Sequence, residues 1–148
     1  MVRTRCELSL RGREPRITLV AGIRKQINLP NPCNLPLNYF MDVTNIDKAK
    51  EWFEVLQTSE KSQTAMMTLA PEDSTGAKAE AHKNSEQVLL LLDGELTGEV
   101  GDDRPTLRKG DVIIIPAGVK HRFINRGRKA AVTFNVYAPP AYPPGTKG

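Results

Sequence analysis

Apolar positions follow two different periods along the chain. From Asn45 to Leu56 they recur every three or four residues, which is the spacing of an amphipathic helix. Thr44, followed by Asp47, resembles a helix N-terminus, with a capping hydroxyl and an acidic side chain in the first turn. The only tryptophan, Trp52, lies on the apolar stripe. The pattern therefore predicts one short helix with Trp52 packed in the core.

Beyond residue 60 the apolar positions follow the period of β-strands. Asp93-Gly94 separates two of these runs and predicts a two-residue hairpin, because glycine accepts the positive φ that such turns require. Short strands with turn residues between them are typical of a β-sandwich or barrel, so we expect an all-β fold. The predicted strands cover residues 62–69, 87–92, 95–100, 105–108, 111–115, 119–124 and 130–137.

The length and the ends of the chain limit its class. Its 148 residues correspond to one domain that is large enough for a real core. No apolar run is long enough to span a membrane, and the first residues lack a signal-peptide core, so we expect a cytoplasmic location without membrane association. Cys6 and Cys33 have no metal-type or disulfide-type spacing and are expected to be reduced thiols.

Positive charge is concentrated at the start of the chain. The net charge is +4, whereas residues 1–27 alone carry seven Lys/Arg against two Glu. The arm has no interleaved aromatic residues and no binding motif, so we expect a solvated extension and no nucleic-acid partner. A start at Met41 in place of Met1 stays open. Residues 1–40 are predicted to be a basic, partly extended arm with a short edge strand over 16–23, and residues 41–148 a folded domain.

The folded domain ends in a proline-rich tail. Residues 138–145 read Ala-Pro-Pro-Ala-Tyr-Pro-Pro-Gly, a composition that favours extended polyproline II backbone. We expect the tail to lie against its own domain or against a second copy of the chain. Docking to a proline-binding module is the alternative.

A sequence motif with metal-binding character lies in residues 110–125. This stretch reads G-x5-P-x-G-x2-H-x3-N, from Gly110 to Asn125, and it resembles the second motif of the cupin superfamily. The resemblance implies a double-stranded β-helix barrel of the jelly-roll type, with His121 as a metal ligand. Strand alternation places Val119, His121 and Phe123 on one face.

The first cupin motif is matched less closely. Its usual form is G-x5-H-x-H-x3,4-E-x6-G, and Gly94 supplies the closing glycine. Counting back from Gly94 places Gln87 at the usual Glu, His82 at the second His and Glu80 at the first His. The resemblance thus implies a metal ligand set of Glu80, His82, Gln87 and His121.

A rival register pairs His82 and Asn84 with Glu86. It preserves the His-x-His spacing better, but Glu86 does not share a face with Leu89 and Leu91, whereas Gln87 does. We prefer the register with Gln87. Loss of the metal, as in some cupins, stays open because one His and one Glu are replaced.

The resemblance also implies a function. We expect one divalent ion, with Mn, Fe, Ni and Zn all suited to imidazole and oxygen ligands. The expected activity is metal-assisted isomerisation or lyase chemistry on a small, sugar-like substrate, with Glu80 as general base if it is not a ligand. An Fe(II)-dependent dioxygenase and a non-catalytic small-molecule-binding module are the alternatives.

Two further expectations concern the faces of the sheet. Either Thr133, Asn135 and Tyr137 or the alternate set, Phe134 and Val136, line the cavity. On the strand 87–92 the second face is also apolar, at Val88, Leu90 and Leu92. Small cupins often cover such a face by pairing, so we expect a homodimer.

Overall fold

The structure is a computed structural model, and it describes residues 41–148. The basic arm, the edge strand predicted over 16–23, and both cysteines, Cys6 and Cys33, lie outside the described residues. No helix in residues 41–148 is long and apolar enough to cross a membrane.

Eight β-strands form two sheets, which confirms the all-β prediction. The five-stranded sheet has the order β1-β2-β8-β3-β6, the three-stranded sheet has the order β5-β4-β7, and all neighbours are antiparallel. The ladders found in residues 41–148 do not join the two sheets into a closed barrel. The strands are β1 (Phe53–Thr58), β2 (Gln63–Leu69), β3 (Glu86–Asp93), β4 (Glu95–Val100), β5 (Thr106–Arg108), β6 (Val112–Ile115), β7 (His121–Ile124) and β8 (Ala131–Ala138).

Strand alternation builds the core between the two sheets. In β3 the inward residues Gln87, Leu89 and Leu91 are buried, while their neighbours are half-buried or exposed. In β8 the same alternation buries Thr133, Asn135 and Tyr137 and leaves Phe134 and Val136 on the outer face. The inward set is therefore Thr133, Asn135 and Tyr137, and of these three only Tyr137 lines the cavity. Large apolar residues from both sheets complete the core, including Phe53, Leu69, Leu96, Leu107, Ile115 and Phe123.

The prediction of a helix over 45–56 is wrong. The structure has only a 3₁₀ turn at Ile46–Lys48, capped by Asn45, and residues from Phe53 onward form β1. Phe53 and Val55 alternate inward, and β2 supplies their backbone partners, so a local three-and-four spacing gives way to pairing with a neighbouring strand. Trp52 was predicted to lie in the core, but it is 47% exposed.

The prediction of a hairpin at Asp93-Gly94 is wrong as well, although the glycine has the backbone conformation expected of it. Gly94 has the expected positive φ of 85°. However, β3 pairs with β6 and β8, whereas β4 pairs with β5 and β7, so the chain passes from one sheet to the other at this turn. Both edges of β3 are already occupied, and no edge remains for β4.

Two irregular segments complete the domain around its cavity. The segment before β3 bridges to β7 at Ser74–Ile124 and at Glu80–His121. The proline-rich tail lies along the free edge of β1, where Val55 N donates to Thr146 O at 2.9 Å and Gly148 N donates to Phe53 O at 2.9 Å. The tail therefore lies against its own domain, as expected.

Candidate functional site

One cavity collects all four residues proposed as metal ligands. It has a volume of ≈ 330 Å³, within the usual range for small-molecule sites, and it is partly open to solvent. Its lining comes from both sheets, from the segment before β3 and from the tail. The lining residues are Trp52, Phe53, Met67, Thr75, Lys78, Glu80, His82, Gln87, His121, Phe123, Tyr137, Tyr142, Thr146 and Gly148.

The two histidines lie side by side in this cavity. The ring centroids of His82 and His121 are 5.2 Å apart. Backbone bonds fix both residues: His82 O accepts from Gly118 N at 2.9 Å, and His121 exchanges two bonds with Glu80 at 2.8 and 3.1 Å. The loop that contains Gly118 therefore joins the two cupin motifs at the cavity.

The tautomer of His121 suits a ligand role. Its Nδ1 lies 3.0 Å from the Val119 carbonyl oxygen. A carbonyl can only accept, so Nδ1 carries the proton and donates, and the lone pair is left on Nε2. Metal-binding histidines are commonly held in this way through the other ring nitrogen.

His82 is also favoured as a neutral imidazole. Burial and the adjacent His121 ring lower the pKa of His82 below its ordinary value, although the Gln87 side chain and the Glu80 charge act in the opposite direction. At neutral pH the ring is therefore uncharged and retains a lone pair.

Gln87 is held by a directional chain of hydrogen bonds inside the domain. The chain starts at the Met67 carbonyl, which accepts from Thr133 Oγ1 at 3.3 Å. Thr133 Oγ1 then accepts from Asn135 Nδ2 at 2.9 Å, and Asn135 Oδ1 accepts from Gln87 Nε2 at 3.0 Å. Because Nε2 is used in this way, Gln87 Oε1 is left buried on the side of the His82 ring, and it has no well-formed hydrogen bond in residues 41–148.

Solvent exposure places Glu80 in the site and separates the preferred register from the rival one. The side chain of Glu80 is exposed where it lines the cavity, so it lies at the mouth. Asn84 and Glu86, the residues of the rival register, are exposed and do not line the cavity, whereas Gln87 is buried there. Asn125 is buried away from the cavity and bonds Leu69 O, Lys129 O and Gly127 N, so it fixes the turn after β7.

The donor set suits a divalent ion with nitrogen and oxygen ligands. Two adjacent imidazoles and a buried amide oxygen meet in one cavity, and such a buried oxygen is costly unless it meets a donor or a cation. Within the described residues no group of three or more His, Cys, Asp and Glu has metal-binding geometry. The fit therefore depends on Gln87 acting as the third ligand.

Several cavity residues were missed by sequence reasoning. Tyr142 comes from the tail, Lys78 from the irregular segment before β3, and Trp52 and Phe53 from the segment predicted to be a helix. The alternation of Phe53 with Val55 was the available signal for a strand. Nothing in the local pattern around Tyr142 indicates that it returns to the cavity.

Comparisons with known proteins agree with this fold. Residues 65–137 match the family model of the cupin domain. An uncharacterized protein of Acanthamoeba polyphaga mimivirus is 33% identical over 95 residues, which cover 62% of this chain and 58% of the relative. The chain thus spans less than two thirds of that relative.

Solved structures give the same architecture. A Bacillus halodurans protein has a TM-score of 0.67 at 24% identity, covering 75% of this chain and 90% of its own. An RmlC-like cupin with a double-stranded β-helix fold from Methanocaldococcus jannaschii has a TM-score of 0.58 at 21% identity, covering 70% and 94%. Residues 65–137 therefore form a cupin domain, and the fold is the double-stranded β-helix.

Proposed function

We propose that this cupin is a metal-dependent enzyme in which His82, His121 and Gln87 hold one divalent ion. The observation that supports the proposal is the buried Gln87 Oε1, which has no well-formed hydrogen bond in residues 41–148 and lies in the cavity shared by the two imidazoles. Two nitrogen ligands and one oxygen ligand suit Mn, Fe, Ni or Zn, and the incomplete set leaves coordination positions for a substrate.

The proposed reaction is isomerisation or elimination on a small oxygen-bearing substrate. The ion, when bound, supplies Lewis-acid polarisation of a substrate carbonyl or hydroxyl. Glu80 is solvated at the cavity mouth, which favours a role as general base rather than as a ligand. The half-enclosed cavity orients the substrate between Glu80 and the imidazoles.

Metal titration tests this proposal. Mn²⁺, Fe²⁺, Ni²⁺ and Zn²⁺ are titrated separately into metal-free protein by calorimetry, with His82→Ala and His121→Ala variants and Glu86→Gln as control. Glu86 adjoins Gln87 in sequence but lies outside the cavity. We expect one ion per chain for the wild type and the control, and at least about a hundredfold weaker binding in both His variants.

One observation favours a second candidate, a non-catalytic cupin that binds a small molecule. Gln87 is neutral and Glu80 is exposed, so the described ligand set lacks a buried carboxylate. A wild-type protein that binds none of the four ions, while the His variants remain folded, would favour this second candidate. Oxygen uptake dependent on substrate and Fe²⁺ would instead indicate the dioxygenase alternative.

A further inference from the structure

One wall of the cavity is aromatic and is built by segments that flank the matched cupin domain. The family match covers residues 65–137, whereas Trp52 and Phe53 precede it and Tyr142 follows it. The flanking aromatic wall consists of Trp52, Phe53 and Tyr142. The wall therefore comes from segments outside the residues that the family model matches.

Tyr142 is the central residue of the flanking aromatic wall. Its ring centroid lies 4.8 Å from that of Phe53, 5.2 Å from that of Tyr137 and 5.3 Å from that of His82. Its packing on Tyr137 and His82 is edge-to-face, at interplanar angles of 79° and 71°. The wall therefore begins directly beside one of the two candidate imidazole ligands.

Buried hydrogen bonds hold Tyr142 in this position. Gln63, 1% exposed, donates from Nε2 to Tyr142 O at 2.8 Å and accepts from Tyr142 N at 3.0 Å through Oε1. The tail also packs on the indole, because a Cβ added at Gly148 would lie 2.6 Å from Trp52 Nε1. These contacts within the chain fix the wall, and a fixed wall reduces the entropic cost of binding.

The cavity offers different chemistry at its two ends. The aromatic rings present apolar faces and edges that favour offset or edge-to-face contact with another planar ring. His82 and His121 are the proposed ligands of the ion, and Lys78 lines the same cavity without an ion pair in residues 41–148, so this end suits a negatively charged group. A matching ligand carries a planar apolar part together with an anionic or oxygen-rich group.

We infer that the flanking aromatic wall is a subsite for the planar, apolar part of the substrate, and that Tyr142 determines this specificity. The substrate class is a small acid with an aryl or conjugated ring, whose oxygen atoms face His82, His121 and Lys78. The inference rests on the proposed function for the ion at the polar end. It replaces the sugar-like substrate expected from the sequence.

The test compares two monocarboxylates that differ in their six-membered ring. Benzoate has a planar apolar ring, and glucuronate has a puckered, hydroxylated one. Calorimetry gives the affinity of each for metal-loaded and metal-free wild-type protein. Emission from Trp52, the only tryptophan, checks that benzoate occupies this cavity. We expect benzoate to bind the wild type about tenfold more tightly than glucuronate.

Three variants assign the preference to the wall. Tyr142→Ala should weaken benzoate about tenfold and leave glucuronate within about twofold. Phe134→Ala, a control on the outer face of β8, should change neither affinity. Gln63→Glu alters no cavity residue but places a carboxylate against the Tyr142 carbonyl, so it should reproduce the selective loss of benzoate. This third variant keeps the test decisive if Tyr142→Ala folds poorly.

The outcomes separate this inference from the proposed function. Absence of benzoate binding, equal affinity for the two acids, or unchanged benzoate affinity in both Tyr142→Ala and Gln63→Glu would overturn the subsite. Benzoate binding through Tyr142 in a protein that takes up no ion would support the subsite and contradict the metal site. Retained metal binding without a benzoate preference would support the metal site and contradict the subsite.

Discussion

Gln87 donates from Nε2 to Asn135 Oδ1 at 3.0 Å, across the inner faces of β3 and β8. The bond fixes which end of the Gln87 amide faces the cavity, because Asn135 is itself oriented by Thr133 and, through it, by the Met67 carbonyl. Asn135 is therefore a positioning residue for the proposed amide ligand, although it does not line the cavity.

Removal of the Asn135 amide tests this positioning role. We expect Asn135→Leu to lower the free energy of unfolding by about 1–3 kcal/mol, because Gln87 Nε2 loses its acceptor in the interior. We also expect metal affinity to fall roughly tenfold to a hundredfold, as for other residues that orient ligands. Urea unfolding and metal titration measure the two effects.

Thr133→Val serves as a milder control, because it breaks the same chain one step further from Gln87. We expect the Thr133→Val variant to lose stability with a smaller loss of metal affinity. A fully retained metal affinity in Asn135→Leu protein would show that the orientation of Gln87 does not depend on this chain.

Gln87→Glu should be unfavourable in the metal-free protein, even though carboxylates are common ligands. A carboxylate oxygen would face Asn135 Oδ1, and turning the Asn135 amide would draw the Thr133 hydroxyl proton away from the Met67 carbonyl. We expect about 1–3 kcal/mol of destabilisation without metal, and a smaller difference with metal bound because the ion offsets the added charge. An unchanged unfolding midpoint of the metal-free variant would argue against the directional chain.

Gly94 is the sharpest backbone constraint in the domain. Its φ is 85°, and a Cβ there would lie 2.7 Å from Ala130 O and 2.8 Å from Ala131 Cα. Gly110 has a similar φ of 92° but open space around it. We expect Gly110→Ala to cost about 1–2 kcal/mol from the left-handed conformation alone, and Gly94→Ala to cost at least about 1 kcal/mol more through overpacking. Thermal unfolding compares the pair, and equal losses would contradict the contact at Gly94.

The outer face of the five-stranded sheet leads to a prediction about assembly. Val112 and Ile114 on the edge strand β6 are each 59% exposed, next to the apolar outer residues Val88 and Leu90 of β3. An exposed apolar face of this kind is characteristic of an interface. We predict a homodimer through this face, which Ile114→Lys should dissociate while Lys120→Glu, a charge change outside this face, does not. Sedimentation velocity that shows a wild-type monomer at micromolar concentration would refute the prediction.

The alternation of buried and exposed residues made much of the fold predictable. In β3, alternation put Gln87, Leu89 and Leu91 on one face, and the resemblance to the cupin motif, counted back from Gly94, placed His82 and Gln87 in one site. Alternation within a strand is local geometry and can be read from a sequence, whereas the choice of the inward face came from the motif.

Features that depend on distant partners could not be predicted in the same way. Phe53 has helix-compatible neighbours as well as an alternation with Val55, and its pairing with Met67 on β2 decides in favour of the strand. Likewise, the turn at Gly94 does not determine which strands pair on either side of it. Tyr142 reaches the cavity because Gln63, 79 residues earlier, holds its backbone, and no local pattern reports that contact.

The central claim is that one ion is held by His82, His121 and Gln87. The most direct test is native mass spectrometry of the untagged chain as purified, beside His121→Ala and Gln87→Leu variants. We predict one divalent ion per chain in the wild type, none in His121→Ala and a partial loss in Gln87→Leu. A wild-type chain without metal, even after incubation with Mn²⁺, Fe²⁺, Ni²⁺ or Zn²⁺, would contradict the account.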